Sequence, residues 1–278
     1  MALTEITIGH SPDPDDAFMF YALTHDKLDT GGLKIKHHIA GIEELNHKAV
    51  EGELEVTALS VHAYGYTMDK YALLKCGGSF GDGVGPTVVA KKKMDIGELA
   101  DDRIAVPGTM TTAYLLLKLL LLNFKFEVVP FDKIMEAVLN GDVDAGLLIH
   151  EGQITYNKLG LHKIVDLGEW WQQDMNLPVP LGVNAVRKDL GQELMHRIAG
   201  LMQQSIDYAL AHRDEAIAYS MKYGRGMDAV TTDKFVGMYV NKWTVDMGRD
   251  GRRAINQLLT RAYHAALVPR PVHLEFVE

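Results

Sequence analysis

The sequence predicts an α/β protein with two lobes, each a mixed sheet flanked by helices, and a ligand cleft between the lobes. Three observations support this prediction. Short apolar runs alternate with helical patterns, as they do in α/β folds. A β-α-β-α-β unit occurs at residues 6–60 and again at residues 103–150. A segment with five glycines, residues 76–86, separates the two copies and predicts a loop or crossover.

The first copy of the unit ends at Ser60. Its pattern predicts, in order, a strand at 6–9, a turn at 10–16, a helix at 17–28, a strand at 33–39, a helix at 42–50 and a strand at 54–59. The prolines and aspartates of the turn are typical of helix starts. Gly52 is expected to end the second helix, and Ser60 follows the last strand.

The second copy repeats this order and ends at His150. Its pattern predicts a strand at 103–106, a turn at 107–112, a helix at 113–123, a strand at 127–131, a helix at 133–139 and a strand at 143–149. Gly141 corresponds to Gly52, and His150 falls opposite Val61, one residue beyond Ser60. Because the two copies are built alike, we expect two lobes that face each other.

The remaining segments connect the copies and complete the lobes. Residues 87–90 read as a connecting strand, and residues 181–186 could return the chain to the first lobe. We therefore assign residues 1–88 and 187–278 to a larger lobe and residues 89–186 to a smaller one. In hinged proteins of this kind the ligand lies in the cleft and is enclosed when the lobes close.

Composition and charge exclude several classes of function. The net charge is −9 and the longest basic run is Lys91-Lys92-Lys93, so we expect no nucleic-acid partner. The most apolar segment, residues 113–122, is too short to span a membrane and contains Lys118. The N-terminus lacks a charged region followed by an apolar stretch, so we expect no secretory signal. The oligomeric state is left open by the sequence.

Neither thiol nor metal chemistry is indicated. Cys76 is the single cysteine, it has no evident base nearby in the sequence, and we expect it to act as a small apolar residue. The acidic turn at residues 13–16 could hold a hard cation, but it lacks the calcium-loop pattern. His37 and His38 alternate on one strand and cannot both face one metal ion. We therefore expect no metal site.

His150 is the candidate for proton transfer. The apolar run at residues 145–149 reads as a buried strand that ends on His150-Glu151. Ligands of α/β sheets lie beyond the carboxyl ends of the strands. Histidine has the side chain whose ordinary pKa lies near neutral pH, which suits proton transfer. The alternative is a hydrogen-bonded structural histidine at a strand end.

The helix start at Thr111-Thr112-Ala113 is the candidate anion site. The free N–H groups of a helix N-terminus and its dipole attract anions, and threonine hydroxyls add further donors. A carboxylate or a phosphate is the natural ligand. The alternative is that Thr111 is simply an N-cap residue, and both roles can hold together.

Polar residues of the first copy are candidates for binding hydroxyl groups. Asp13, Asp15 and Asp16 would repel an anion and accept hydrogen bonds from hydroxyls, unless they only cap the helix that follows. Asn46 lies in the helix before the third strand, and Ser60 ends that strand. Both side chains could form hydrogen bonds to ligand hydroxyls.

Six motifs spread over nearly the whole chain resemble those of one enzyme family. They are Ser11-Pro12-x-Pro14-x-Asp16-x-Phe18-x-Phe20-Tyr21-Ala22-Leu23, Val84-Gly85-Pro86, Val106-Pro107-Gly108-x-x-Thr111-Thr112-Ala113-Tyr114, Leu148-Ile149-His150-Glu151 with Thr155-Tyr156, Asp166-Leu167-Gly168-x-Trp170-Trp171, and Leu177-Pro178-x-Pro180-Leu181-Gly182. Together they resemble the 1,4-dihydroxy-6-naphthoate synthases of the futalosine route to menaquinone. The resemblance implies a periplasmic-binding-protein-like fold of type II and a cytoplasmic enzyme.

The resemblance also implies a reaction and its residues. The substrate would be cyclic dehypoxanthine futalosine, a carboxylate, and the products 1,4-dihydroxy-6-naphthoate and dihydroxyacetone, a carbon–carbon bond cleavage that needs no metal or organic cofactor. The proton-accepting histidine of the family falls on His150. The substrate contacts are expected at Asp16, Asn46, Ala58, Leu59, Ser60, Thr111, Thr112 and Ala113.

One turn departs from the family pattern, and two alternatives follow. Where the family has Cys-Pro-Asn-Asp-Thr, this chain has Asp13-Pro14-Asp15-Asp16-Ala17, which adds negative charge beside the cleft. The first alternative is a solute-binding protein for a small carboxylate, because fold does not fix function. The second is chorismate dehydratase of the same pathway. The stretch at residues 150–156 favours the synthase.

Overall fold

The strands form two sheets. The structure is a computed structural model and describes residues 4–277. The strands are β1 (Thr4–His10), β2 (Leu33–Ile39), β3 (Val56–Ser60), β4 (Tyr71–Leu74), β5 (Ser79–Gly81), β6 (Thr87–Ala90), β7 (Arg103–Val106), β8 (Lys125–Val128), β9 (Ala145–Leu148), β10 (His162–Asp166), β11 (Val179–Arg187) and β12 (Phe276–Val277).

Helices cover the sheets and supply most of the C-terminal third of the chain. They are α1 (Pro14–Met19), α2 (Tyr21–Thr24), α3 (Ile42–Glu51), α4 (Val61–Thr67), α5 (Thr112–Leu120), α6 (Ile134–Asn140), α7 (Gly152–Thr155), α8 (Leu167–Met175), α9 (Gln192–Ala211), α10 (Arg213–Ser220), α11 (Ala229–Tyr239), α12 (Lys242–Val245) and α13 (Gly248–His264). Short 3₁₀ turns lie at Ile96–Ala100, Phe131–Lys133, Tyr156–Leu159, Lys188–Leu190 and Met221–Tyr223.

The two sheets contain the same motif, which confirms the predicted repeat. The larger sheet has the order β12-β4-β11-β3-β1-β2, with β5 beside β11, and the smaller has the order β10-β6-β9-β7-β8. In the larger sheet β1 lies parallel between β2 and β3, and β11 runs antiparallel beside β3. In the smaller sheet β7 lies parallel between β8 and β9, and β6 runs antiparallel beside β9. The predicted two-lobe α/β fold with mixed sheets is therefore confirmed.

Two glycines occupy equivalent places in the two lobes. Gly52 ends α3 and Gly141 ends α6, and both adopt the left-handed conformation with φ of 78° and 86°. A residue without Cβ adopts this conformation at no steric cost, which explains why each helix stops there. The correspondence predicted from the sequence between these two positions is confirmed.

The crossovers between the sheets involve β6 and β11. β6 already belongs to the smaller sheet at Thr87, and β11 belongs to the larger sheet from Val179 to Arg187. The sequence predicts a smaller lobe of residues 89–186, whereas residues 179–186, which form most of β11, belong to the larger sheet. The physical reason is the pairing of β11 with β5 at its start and with β3 and β4 over the rest of its length. Hereafter "larger lobe" and "smaller lobe" denote the sheets with the helices that pack on them.

Several element bounds differ from the sequence pattern. The helix expected at 17–28 begins at Pro14, whose fixed φ suits a first helical position, and is interrupted at Phe20 before ending at Thr24. The strand expected at 143–149 stops at Leu148, so His150 lies in a turn rather than directly at the strand end. Within residues 4–277, no helix has the length and apolar character needed to cross a membrane.

Candidate active site

A cleft that is partly open to solvent lies between the two lobes. The turn after β1 and the ends of β3 and β11 contribute from the larger lobe, and the start of α5 and the segment after β9 contribute from the smaller lobe. The expected site residues that line it are Asp16, Ala58, Leu59, Ser60, Thr111, Thr112, Ala113 and His150. Asn46 is not among the lining residues but lies directly behind Ser60.

His150 stands in the cavity wall on a strained backbone. Its φ is +60°, a left-handed conformation that is uncommon for residues other than glycine and is often found at functional sites. Its side chain is 14% exposed. Nδ1 lies 3.3 Å from Oδ2 of Asp13, whereas Nε2 is buried and has no hydrogen-bond partner in the described residues. The ring packs edge-on against Phe131 at a centroid distance of 4.5 Å.

Arg225 joins Asp13 to the segment that carries His150. Its guanidinium lies 3.3 Å from Oδ1 of Asp13 and donates a hydrogen bond of 2.8 Å to Oε2 of Glu151. The same guanidinium lies over the ring of Phe131 at 4.5 Å, a favourable cation–π distance. Glu151 therefore binds Arg225 rather than His150.

The acidic turn is held by its own backbone. The N–H of Ser11 donates to Oδ2 of Asp16 at 2.6 Å, so this carboxylate closes the turn while also lining the cavity. Burial, together with the charge of Asp13, raises the pKa of Asp16 to about 6. Burial and the charges of Asp16 and Asp13 raise the pKa of Asp15 well above its usual range. Asp15 and Asp16 can therefore hold protons near neutral pH. The turn then repels an anion less than three ionised carboxylates would.

Asn46 supports Ser60 from behind the cavity wall. Its Nδ2 donates to Oγ of Ser60 at 3.0 Å, and the N–H of Ser60 donates to Oδ1 of Asn46 at 2.8 Å. Asn46 is completely buried. With its oxygen accepting from Asn46, the Ser60 hydroxyl keeps its own proton as a donor. The structure thus gives Asn46 a supporting position and leaves Ser60 facing the cavity.

The start of α5 presents backbone donors rather than hydroxyl donors. Oγ1 of Thr111 accepts from the N–H of Tyr114 and donates to the carbonyl of Gly108, so Thr111 is an N-cap residue. Oγ1 of Thr112 donates to the carbonyl of Leu181 at 2.6 Å. The N–H groups of the first helical turn have no partner within a helix. Thr112 and Ala113 line the cavity at the start of α5, and the N–H groups of such a helix start suit an anion.

Three further polar residues line the cavity and were missed by the sequence analysis. Nδ2 of Asn184 donates to the carbonyl of Gly77 at 2.8 Å, which leaves Oδ1 buried without a partner in the described residues. The hydroxyl of Tyr239 donates to Oε1 of Gln153, a contact between the lobes. The signal for Asn184 was present, since it interrupts the apolar strand β11; nothing local in the sequence marks Tyr239 or Gln153.

Other titratable residues considered from the sequence lie in packed surroundings. His10 stacks on Phe20 at 4.6 Å and lies 3.1 Å from His37, and burial with the nearby His37 lowers its pKa to about 3. Burial raises the pKa of the Cys76 thiol to about 12, which makes it unreactive. No group of three metal-ligating side chains occurs in the chain from Thr4 to Val277.

Comparisons with known proteins agree with these observations. A family model described as menaquinone biosynthesis matches residues 6–264. A curated protein of Thermus thermophilus named 1,4-dihydroxy-6-naphthoate synthase is 39% identical over 270 residues, which cover 96% of this chain and 98% of the relative. A protein of Streptomyces coelicolor with the same name is 38% identical over 275 residues, covering 97% and 96%.

Solved structures agree on the fold. A crystal structure of a protein from Archaeoglobus fulgidus is 50% identical, has a TM-score of 0.92, and covers 95% of this chain and 98% of its own. The periplasmic aliphatic sulphonate-binding protein of Escherichia coli is 14% identical with a TM-score of 0.69, covering 97% and 95%. At that identity the second likeness shows the fold alone, which is the periplasmic-binding-protein-like fold.

Proposed function

The chain belongs to the menaquinone-biosynthesis family of 1,4-dihydroxy-6-naphthoate synthases, and we propose that it cleaves cyclic dehypoxanthine futalosine with His150 as the general base. The products are 1,4-dihydroxy-6-naphthoate and dihydroxyacetone, which makes the enzyme a carbon–carbon lyase. The observation that carries the role of His150 is its environment. Its Nδ1 faces the Asp13 carboxylate, and its buried Nε2 has no partner in the part of the chain described.

The position of the Asp13 carboxylate supports one protonation form of His150. A carboxylate beside Nδ1 favours the tautomer with the proton on that nitrogen, so the lone pair is on Nε2. A neutral imidazole in this form can take a proton, and the imidazolium that results gains the attraction of Asp13. General base catalysis of this kind contributes roughly 10²–10⁴-fold to a rate.

The reaction then follows from one proton transfer. His150 removes the proton of a substrate hydroxyl, and the oxygen electrons form a carbonyl as the neighbouring carbon–carbon bond breaks in a retro-aldol sense. The electrons of that bond pass into the bicyclic ring system, which becomes aromatic and drives the cleavage. The proton held by His150 then passes to the ring oxygen that carries the displaced charge, which gives a hydroxyl of the naphthoate, and the fragment with the new carbonyl leaves as neutral dihydroxyacetone. All electrons stay within substrate and products, so the scheme needs no redox cofactor.

The two ends of the substrate match two sets of hydrogen-bonding groups in the cavity. The substrate carboxylate suits the free N–H groups of Thr112 and Ala113 at the start of α5, where the helix dipole favours negative charge. Hydroxyl groups suit the Ser60 hydroxyl and the unpartnered Oδ1 of Asn184. A hydroxyl that binds Oδ1 of Asn184 would also remove the cost of leaving that buried acceptor unpaired.

Contacts between the lobes support a closed reaction site. Gln153 binds Tyr239, Glu151 binds Arg225, and both oxygens of Glu43 accept from the N–H of Met110 at 3.1 Å. Such closure excludes water from a reactive intermediate. As part of the proposal, the enzyme works in the cytoplasm on a small carboxylate substrate.

Purified protein incubated separately with cyclic dehypoxanthine futalosine and with chorismate tests the assignment. We expect naphthoate and dihydroxyacetone in equal amounts from the first compound, measured by mass, and no change in the second. Consumption of chorismate instead would make the protein a dehydratase. Tight calorimetric binding of a carboxylate without any product would make it a solute-binding protein.

A further inference from the structure

The Asp13 carboxylate is buried between two positively chargeable groups from different parts of the chain. Its side chain is 2% exposed. Oδ2 faces Nδ1 of His150 at 3.3 Å, and Oδ1 faces Nη1 and Nη2 of Arg225, each at 3.3 Å. Each oxygen therefore has its own partner. A buried carboxylate is costly unless it is paired, so this arrangement determines which way the carboxylate points.

These groups come from both lobes. Asp13 precedes α1, and Arg225 precedes α11, which packs on α1 in the larger lobe. His150, Glu151 and Phe131 follow strands of the smaller sheet. Arg225 contacts the smaller lobe twice, through Glu151 at 2.8 Å and through the Phe131 ring at 4.5 Å. The pairing of Asp13 with His150 therefore exists only while the lobes are in contact.

Building on the proposed role of His150, we propose that Asp13 is its positioning residue and that lobe closure assembles the pair, with Arg225 orienting the carboxylate. Asp13 holds the imidazole in the form that leaves Nε2 free and stabilises the imidazolium formed during the reaction. Separation of the lobes would break this pairing, so the base is at full strength only while the lobes are in contact, as they are in this structure.

The substitution Asp13→Asn gives a sharp test, because Arg225 decides how the amide is oriented. The guanidinium offers only donors, so the amide oxygen stays on its side and the amide NH₂ falls opposite Nδ1 of His150. That NH₂ donates to Nδ1 and moves the imidazole proton to Nε2, where it blocks proton acceptance. The corresponding exchange in a serine protease triad, whose tautomer effect is known, lowers kcat about 10⁴-fold.

The experiment measures tautomer and turnover in the same variants. Protein labelled with ¹⁵N-histidine is studied by NMR at a pH where His150 is neutral, and its signal is assigned by comparison with His150→Asn. We expect the Nδ1–H tautomer in the wild type and the Nε2–H tautomer in Asp13→Asn, with kcat lowered by roughly 10²–10⁴-fold and KM changed less than about threefold. Asp189→Asn, which alters an exposed aspartate paired with Arg187, should match the wild type.

Two results would overturn the proposal. One is an unchanged His150 tautomer in Asp13→Asn, and the other is a kcat within threefold of the wild type. If Asp13→Asn fails to fold, the variants Arg225→Met and Arg225→Lys replace it. A loss of kcat in Arg225→Met with partial recovery in Arg225→Lys supports the proposal. Equal activity in the two variants contradicts it. Because the tautomer is read without substrate, the pairing is tested even if the wild type forms no naphthoate.

Discussion

The substitution Asn46→Ala tests whether Asn46 supports the site or contacts the substrate directly. Asn46 was expected from the sequence to contact the substrate, but in the structure it lies behind Ser60 and makes two hydrogen bonds to that residue. If Asn46 is a supporting residue, its removal should lower the stability of the folded protein. It should affect turnover only through the altered position of Ser60.

The magnitude follows from the groups that lose partners. The hydrogen bond from Asn46 to the Ser60 hydroxyl contributes about 1 kcal/mol, and the N–H of Ser60 is left buried without its acceptor, which costs about 1–3 kcal/mol. Alanine has a higher helix propensity than asparagine, which stabilises α3 by a few tenths of a kcal/mol and offsets a small part of this loss of stability. We therefore expect Asn46→Ala to lower the free energy of unfolding by about 2–4 kcal/mol.

Urea unfolding followed by circular dichroism provides the measurement, with turnover recorded in parallel. Asn256→Ala is the matched control, since Asn256 is exposed in the interior of helix α13 and shares the propensity term. The control should be unchanged or slightly stabilised. A loss of less than 1 kcal/mol in Asn46→Ala, together with a large rise in KM, would refute the supporting role and restore the direct contact.

Three further predictions concern charge, thiol reactivity and backbone. In the wild type, the pKa of Asp16 is raised from an ordinary 3.8 to about 6, which gives stability that is present below pH 4 and lost as the pH rises through 6. Asp16→Asn should reduce the loss of unfolding free energy between pH 4 and pH 7 by up to about 3 kcal/mol, measured by urea unfolding at both pH values. The same pH dependence in both proteins would contradict this. Cys76 should resist a thiol reagent in the native protein and react after unfolding, and Cys76→Ala should keep wild-type turnover. Gly108→Ala should lower stability by about 1–3 kcal/mol, because φ is +153° and a Cβ would lie 2.2 Å from Cδ of Glu43; an unchanged unfolding midpoint would contradict this.

The fold was largely predictable because its repeat is local. Each copy of the unit is marked by alternating patterns and by a glycine stop, Gly52 or Gly141, whose conformation depends only on neighbouring residues. The return of β11 to the larger sheet was also expected, but its start at Val179 was not. That start depends on pairing with β5, which is distant in sequence, so no local pattern of residues indicates it.

The candidate site was predictable only where residues follow strands or begin helices. His150 and Thr111-Thr112 stand at such places, and they line the cavity. The partners of His150 could not be predicted, because Arg225 is separated from Asp13 by more than two hundred residues and meets it only through the packing of α11 on α1. From the sequence, Asp13 was interpreted only as part of an acidic turn. In the structure its carboxylate lies beside Nδ1 of His150.

The most direct test of the account is the rate of naphthoate formation by the wild type and by His150→Asn. Asparagine tolerates the positive φ at this position, so the backbone should be retained, and circular dichroism can verify this. We expect product from cyclic dehypoxanthine futalosine with the wild type and a loss of roughly 10²–10⁴-fold in kcat with the variant. Turnover by His150→Asn at the wild-type rate would show that His150 is not the base.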